Sequence, residues 1–453
     1  MKRSYLFLAK IVIFSFIISL SSCLDNDLNI SPNAINEKNL KTKDGVFALV
    51  VATQVAAGDF YAGDRSRLSS IWTWQMCAPA GLGRPQPNSW NGYLQQEYGP
   101  ANEMWIVGYN VVRLSNDLLG IKESDVQLGA NNAGLMNTVH GMAKFYKALA
   151  FGELSTYFGP IPINISGIEA PQFVSINDAY NEVQKLLDEA IVHFGNSAPL
   201  SRDLNFKGDG AKWIAACHSL KARYYLNIKN YTSAQSEATL GITDAANNLK
   251  GIYSKTAGEF SPWGHWSNDE AGEPIRVDAT YMRLLKSEAN DGRIAKYFSP
   301  NGSDGGYWGF AQRTVETPDT NETNATSAAS MKIYKSYDTP FPIVTAEENS
   351  LILAEVAARK GDETTALTNV NNIRKAAGLT DFSGSGAALI AEILKQKYLE
   401  LFLQGLSYAD MRRTGTFPDS DIPIKWIYPI SENLTNPNVP KGNAADLMKE
   451  LLP

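Results

Sequence analysis

Cysteine and histidine are scarce in this chain, with 3 and 4 copies among 453 residues. Besides Cys23 there are only Cys77 and Cys217, so a disulfide framework is excluded, and whether those two pair does not follow from spacing. Cys217 sits in an apolar helical pattern and reads as a small core residue. His140, His193 and His218 fall in helical segments at no metal-ligand spacing. There is no His-Glu-x-x-His, Walker loop, Gly-x-Ser-x-Gly or Cys-x-x-Cys. Gly81-x-Gly83 and Gly208-x-Gly210 each lack the third glycine of a dinucleotide loop and read as turns. A glycoside hydrolase needs two carboxylates about 5–10 Å apart, and nothing among the 47 acidic residues selects a pair. These absences argue against an enzyme and against a cofactor. Basic runs are missing too: the formal net charge is −6, a poor balance for a nucleic-acid binder. Beyond the N-terminus no window approaches the roughly 20 apolar residues that span a bilayer.

The N-terminus is the exception. Lys2 and Arg3 precede an apolar run from Tyr5 to Leu20, interrupted by Lys10, and Leu20-Ser21-Ser22 puts small residues just before Cys23. This is the layout of a lipoprotein signal peptide over residues 1–22, with Cys23 as first mature residue and lipid attachment point. One acyl chain anchors only marginally, so durable attachment calls for several. Loss of Lys2, Arg3 and Lys10 with the leader makes the mature chain more acidic still. Residues 23–40 read as a polar, lipidated tether that spans roughly 50 Å when extended. Asp25 and Asp27 are spaced like the start of a calcium loop, but Ile30 stands where that loop needs glycine. Structural calcium is therefore not indicated.

Residues 41–453 read as a single, mainly α domain. Apolar residues recur at three and four in Asp44–Ala57, Glu103–Leu119, Leu135–Tyr157, a helix after Ser175 running to Phe194, Ala211–Ile228, Thr232–Ile242, Glu347–Arg359, Glu363–Ala376 and Ala387–Leu406. The turns at Lys229-Asn230 and Lys360-Gly361-Asp362 are each followed by an alanine, Ala234 and Ala366, where a second helix would pack closely on the first. That is the pattern of a tetratricopeptide-like helical-repeat scaffold, an α-α superhelix whose hairpins stack because one alone cannot bury its apolar face. Two long irregular, aromatic-rich insertions interrupt it, at about 58–102 and 250–340. In the first, Trp72 and Trp74 alternate with Ile71 and Met76 as a buried edge.

Four segments resemble the SusD/RagB family of outer-membrane nutrient-binding lipoproteins. They are Gly141–Ala150 leading into Tyr157-Phe158-Gly159-Pro160-Ile161-Pro162; Leu351–Leu379 with Asn371-Asn372-Ile373-Arg374; Tyr398–Gly405 through Asp410-Met411-Arg412-Arg413; and Tyr428-Pro429-Ile430 with Asn436-Pro437. Gln404 departs from the pattern, since an acidic residue is more usual before that glycine. Arg412-Arg413 reads as a packing and ion-pairing element. The resemblance implies a non-enzymatic protein on the outer face of the outer membrane, held there by its N-terminal lipid. It implies a SusC-type TonB-dependent transporter as partner and a glycan as ligand, or a peptide in RagB-like members.

A sugar ring offers an apolar C–H face that an aromatic ring can cover, and hydroxyls that need polar partners. Both insertions supply that mixture. The first has Trp90, Asn91 and Tyr93 with Arg84 nearby. The second has Trp263, His265 and Trp266, then Tyr307 and Trp308. These nine residues are the candidate ligand contacts.

Overall fold

The computed structural model describes residues 40–77, 99–268, 275–301, 304–311, 318–323, 328–418 and 422–440. The leader, Cys23, most of the tether, and Arg84, Trp90, Asn91 and Tyr93 lie outside them.

The described chain is mainly α-helical. It opens with α1 (Lys43–Ala62) and α2 (Asp64–Trp72), followed by α3 (Pro100–Leu119), α4 (Asn132–Phe158), α5 (Ile176–Gly195), α6 (Gly210–Asn227) and α7 (Tyr231–Thr239). The insertion carries the short helices α8 (Pro262–Asn268), α9 (Ala279–Lys286) and α10 (Arg293–Tyr297). The scaffold resumes with α11 (Ala346–Arg359), α12 (Glu363–Ala376), α13 (Gly386–Glu400), α14 (Leu406–Thr414) and α15 (Ile430–Thr435). Several helix starts follow side-chain capping of otherwise unpaired amides. Ser175 accepts from the Asp178 amide at 3.1 Å, Asn230 from Ser233 at 3.1 Å, Thr345 from Glu348 at 3.1 Å and Asp362 from Thr365 at 3.1 Å.

The main helices stack in chain order. α1 packs on α3, α3 on α4, α4 on α5, α5 on α6 and α6 on α7; α7 then meets α11, which packs on α12 and α13. The chain turns at Lys229 and Gly361 with left-handed backbone, φ 60° and 82°. The alanines after those turns close the hairpins: Ala234 is buried with Ala222, Leu226 and Ile352, and Ala366 with Ala354, Val370 and Leu389. Strands are minor and pair in twos: β1 (Met76–Cys77) with β5 (Arg276–Val277), β2 (Ile161–Pro162) with β3 (Phe173–Val174), β4 (Leu249–Gly251) with β8 (Phe341–Val344), and β6 (Phe298–Ser299) with β7 (Ser330–Met331), all antiparallel.

Three expectations need correction. First, the stretch taken as irregular from residue 58 is helical to Trp72, apart from a break at Gly63. Trp72 is buried, but on a helix rather than a strand edge. α2 escapes a periodicity reading because its sequence is polar while nearly every residue is buried. Its hydroxyls bond back along the helix, Ser69 to the Arg65 carbonyl at 2.6 Å and Ser70 to that of Ser66 at 2.8 Å. Second, Lys43–Trp72 is long and apolar enough to cross a membrane by length and composition, yet 56% of its most apolar window is buried inside the protein. It reads as a core helix. Third, the helix expected over Ala387–Leu406 ends at Glu400. The chain then turns through Leu403 and Gly405, at φ 65° and 75°. A Cβ at Gly405 would lie 2.8 Å from Nη1 of Arg65, so glycine there serves both the turn and the close approach.

That approach is part of a buried ionic core. Arg65 Nε lies 2.5 Å from Glu153, and its Nη1 donates to the carbonyls of Tyr61 at 3.1 Å and Gln404 at 3.0 Å. Glu153 also accepts from the Tyr224 hydroxyl at 3.1 Å and faces Arg223 at 3.5 Å. Arg223 in turn holds both oxygens of Glu348, each at 2.6 Å. Helices α2, α4, α6 and α11 are thereby joined. A second cluster explains the paired arginines near the end: Arg413 grips Glu355 at 2.6 and 2.5 Å and Asp410 at 2.6 Å, while Arg412 donates to the Thr156 carbonyl. Among the described residues, Cys77 and Cys217 are buried and are not joined in a disulfide. Burial pushes the Cys217 thiol far up, away from reactivity.

Candidate functional site

The two insertions share a root. Met76 pairs with Val277 and Cys77 with Arg276, so the last described residues before position 78 are hydrogen-bonded to the second insertion. The junction is reinforced on both sides. The Asp278 amide donates to the Gln75 carbonyl at 3.2 Å, and the Phe310 amide to Val277 at 2.8 Å. The Gln75 side chain donates to the Tyr398 carbonyl at 2.9 Å and accepts from the Leu403 amide at 3.1 Å. Tyr398 returns a bond to the Thr73 carbonyl at 2.7 Å. Segments separated by about 200 positions in sequence (|i−j| 199 for Cys77 and Arg276) therefore emerge side by side.

Of the candidate contacts among the described residues, Trp263 is a correction. It is fully buried, and its indole nitrogen donates to Ser66 at 2.9 Å. It pins α8 to α2 and presents no face to a ligand. Spacing brought it in with Trp266, but one helical turn on, the chain reaches the surface. Trp266 is half-buried. Its ring lies edge-on to Trp263 at 5.2 Å and under the Arg67 guanidinium at 4.7 Å. Arg67 is held by Asp64 at 2.6 Å. His265 is exposed, its ring nearly parallel to Phe260 at 6.4 Å. Phe260 is 38% exposed and packs on Tyr337 at 4.9 Å, and Lys255 sits over the Tyr337 ring at 4.8 Å. Two aromatic groups result: Phe260, His265 and Tyr337 with Lys255, and Trp266 with Arg67. Sequence reasoning named two of these six. Arg67 and Tyr337 were missed because they come from α2 and from a turn far along the chain.

Tyr307 and Trp308 form a separate group. Trp308 is half-buried, with Lys286 over its ring at 4.3 Å and its indole nitrogen donating to Asp304 at 2.8 Å. The Gly306 amide and that indole together hold the Asp304 carboxyl below its usual range. One face of the ring is thus taken by an ammonium.

A wider groove of about 800 Å³ runs along α1, floored by Phe47, Val51, Val55 and Leu114 and edged by Asp59 and Glu259. Phe47 is the only aromatic residue in its lining, so it lacks the stacked rings a sugar platform uses. Burial, with Glu259 nearby, pushes the Asp59 carboxyl up from 3.8 to about 7. A carboxyl raised in the folded state binds its proton more tightly there than in the unfolded chain. Stability therefore falls as pH rises between about 4 and about 7 and is level above that. Asp59→Asn removes this slope: thermal melting across that range should show the variant gaining on the parent as pH rises, with a constant lead from about pH 7 upward.

Among the described residues no group of His, Cys, Asp and Glu is arranged to hold a metal ion. His140 and His193 pack edge-to-face at 5.6 Å, and His218 bonds Glu237 at 2.6 Å.

Residues 93–425 match a protein family described as SusD-like, starch-binding associating with outer membrane. No curated protein matches the chain. Among solved structures, a SusD/RagB family protein from Bacteroides thetaiotaomicron is similar over 89% of this chain and 98% of its own, with 18% identity and a TM-score of 0.71. A chitin-binding protein covers 86% of this chain and 94% of its own, at 19% identity and TM-score 0.66. A chitin-binding SusD homolog from Flavobacterium johnsoniae covers 85% and 89%, at 16% identity and TM-score 0.63. Identities this low speak to the shared fold.

Proposed function

The chain belongs to the SusD-like family of nutrient-binding, non-enzymatic proteins associated with the outer membrane, and we propose that it binds a glycan and passes it to a SusC-type TonB-dependent transporter. The observation that carries this reading is the half-buried Trp266 ring on α8, which reaches the surface under Arg67 of α2 next to the exposed His265. Surface rings flanked by arginine and lysine suit a pyranose, whose C–H face packs on a ring while its hydroxyls bond the charged groups. Two solved relatives described as chitin-binding make a glycan the better supported ligand class here than a peptide. Trp90, Asn91, Tyr93 and Arg84 lie outside the described residues, and they are proposed as further ligand contacts on sequence grounds.

Affinity electrophoresis against a polysaccharide panel tests this. The protein should be retarded by at least one glycan and release no fragments from it. Trp266→Ala should weaken that retention about tenfold or more, the loss of one well-placed ring. Retention of peptides with indifference to every glycan would favour the RagB-like peptide reading instead.

The anchor is proposed on sequence grounds: Cys23 carries the lipid and residues 24–40 are a tether that leaves the body outside the membrane, facing out. Cys23→Ser should move the protein from the membrane fraction to the soluble one. If the variant stays membrane-bound after a high-salt wash, the lipid is not the anchor.

A further inference from the structure

The turn that departs from the family pattern closes a second, smaller cavity of about 250 Å³. Lys250 and Pro342, from the paired strands β4 and β8, form one wall, and Gln404 lies in the lining. Gln404 is only 6% exposed, and its side-chain oxygen has no hydrogen-bond partner among the described residues. Its backbone is fixed on both sides: its amide donates to Leu401 at 3.2 Å and its carbonyl accepts from Arg65 at 3.0 Å. A buried acceptor without a donor is costly, and this oxygen has almost no accessible surface, so a donor in the cavity reaches it once the Gln404 side chain swings toward that space. Two carboxylates share the lining, Glu347 and Glu400. Glu347 accepts from Asn248 at 2.9 Å, and the oxygens of Glu400 stand 3.5 Å from Lys296 and 3.5 Å from Arg293, beyond ordinary hydrogen-bond reach. Acceptor capacity is left over. The charges offset, because Lys250 and Lys296 line the same space. The buried rings of Tyr297 and Tyr334 supply an apolar wall. The volume equals that of about eight water molecules at roughly 30 Å³ each, room enough for one sugar ring.

We propose that this cavity is a small-molecule site, separate from the glycan platform, for a neutral polyhydroxylated molecule of single-sugar size. Hydroxyls supply the donors that Gln404 and Glu400 lack, a neutral ligand leaves the balance of carboxylates and ammoniums undisturbed, and the tyrosine rings cover a C–H face.

The test uses the full chain in a sugar-free detergent, with glucose, galactose, N-acetylglucosamine and myo-inositol as probes and glycine as the zwitterionic contrast. Binding is read by saturation-transfer NMR and calorimetry. At least one neutral probe should bind, and glycine should not. Gln404→Met should lower that affinity about tenfold or more. Its melting temperature should hold, since an apolar group of the same shape removes the orphaned oxygen. Polysaccharide retention by this variant should be unchanged, which separates failure here from failure of the platform. Lys296→Ala, at a side chain 59% exposed, gives a second reading free of folding effects and should weaken the same probe. The proposal is overturned if no neutral probe binds and the cavity holds water only, if glycine is preferred, or if a probe binds with an affinity that neither substitution moves.

Discussion

Glu153→Ala is expected to destabilise the protein by about 3–5 kcal/mol, the usual cost of removing one partner from a buried ion pair. Glu153 lies between two guanidiniums that have almost no access to water: the side chains of Arg65 and Arg223 are 1% and 4% exposed. Arg223 would keep Glu348, which it grips with two bonds. Arg65 would keep only carbonyl oxygens and the face of Tyr61, 3.7 Å from its guanidinium carbon. A full positive charge would then remain inside with no anion to offset it. Equilibrium unfolding in urea, far-UV signal against denaturant, measures the change. Glu153→Gln keeps the shape and an acceptor, so it should fall between the parent and the alanine variant. Replacing Arg65 by methionine in the Glu153→Ala background should recover part of the loss, because the stranded charge goes with it. A loss below about 1 kcal/mol for Glu153→Ala would mean that water or a neighbouring group reaches Arg65.

Trp213→Ala is the second large effect, about 3–5 kcal/mol for an aromatic lost from a close-packed core. The indole lies flat on Phe194, centroids 5.1 Å apart and planes 6° from parallel. It meets Phe145 at 5.1 Å, Phe206 at 5.2 Å and Tyr146 at 5.8 Å, all edge-on. It therefore fills the seam where α4, α5 and α6 converge. Its nitrogen also donates to Asp203 at 2.8 Å, and Asp203 is the fully buried carboxylate that organises the preceding loop through the amides of Asn205, Phe206 and Gly208. Truncation opens a cavity and removes one of that carboxylate's donors. Trp213→Phe separates the two contributions: it keeps most of the packing and loses the bond, so it should cost about 1–3 kcal/mol. Thermal melting followed by near-UV circular dichroism reads both. Equal losses for the two variants would assign the effect to the hydrogen bond rather than to the ring.

Most of the helical scaffold was legible in the sequence, and for a physical reason. Helices such as Ile176–Gly195 and Ala346–Arg359 bury one apolar face each and start on Ser175 and Thr345, so periodicity and capping agree. α2 was illegible because its burial rests on hydrogen bonds made with residues hundreds of positions away, which no local pattern encodes. Position in the candidate site was harder to read. Trp263 and Trp266 are three residues apart with the same chemistry, yet one is a core ring bonded to Ser66 and the other reaches the surface under Arg67. Nothing nearby in the sequence distinguishes them, because the deciding neighbours come from α2. Arg67 went unnoticed for the same reason, reading as one charge in a polar stretch.

The contacts between α2 and the turn before α14 also constrain the order in which the molecule can assemble. Ser66 donates to the Leu403 carbonyl and Arg65 to that of Gln404, across separations of 337 and 339 residues. A chain that emerges from its N-terminus first makes α2 early and its partners very late. Until Leu403 and Gln404 arrive, Ser66 lacks this carbonyl acceptor and Arg65 has only one of its two, that of Tyr61, so the burial of this helix stays incomplete. Closing so long a loop is entropically slow. Final consolidation therefore waits for the C-terminal part of the chain, and a product truncated before that turn would lack the Leu403 and Gln404 carbonyls that Ser66 and Arg65 donate to.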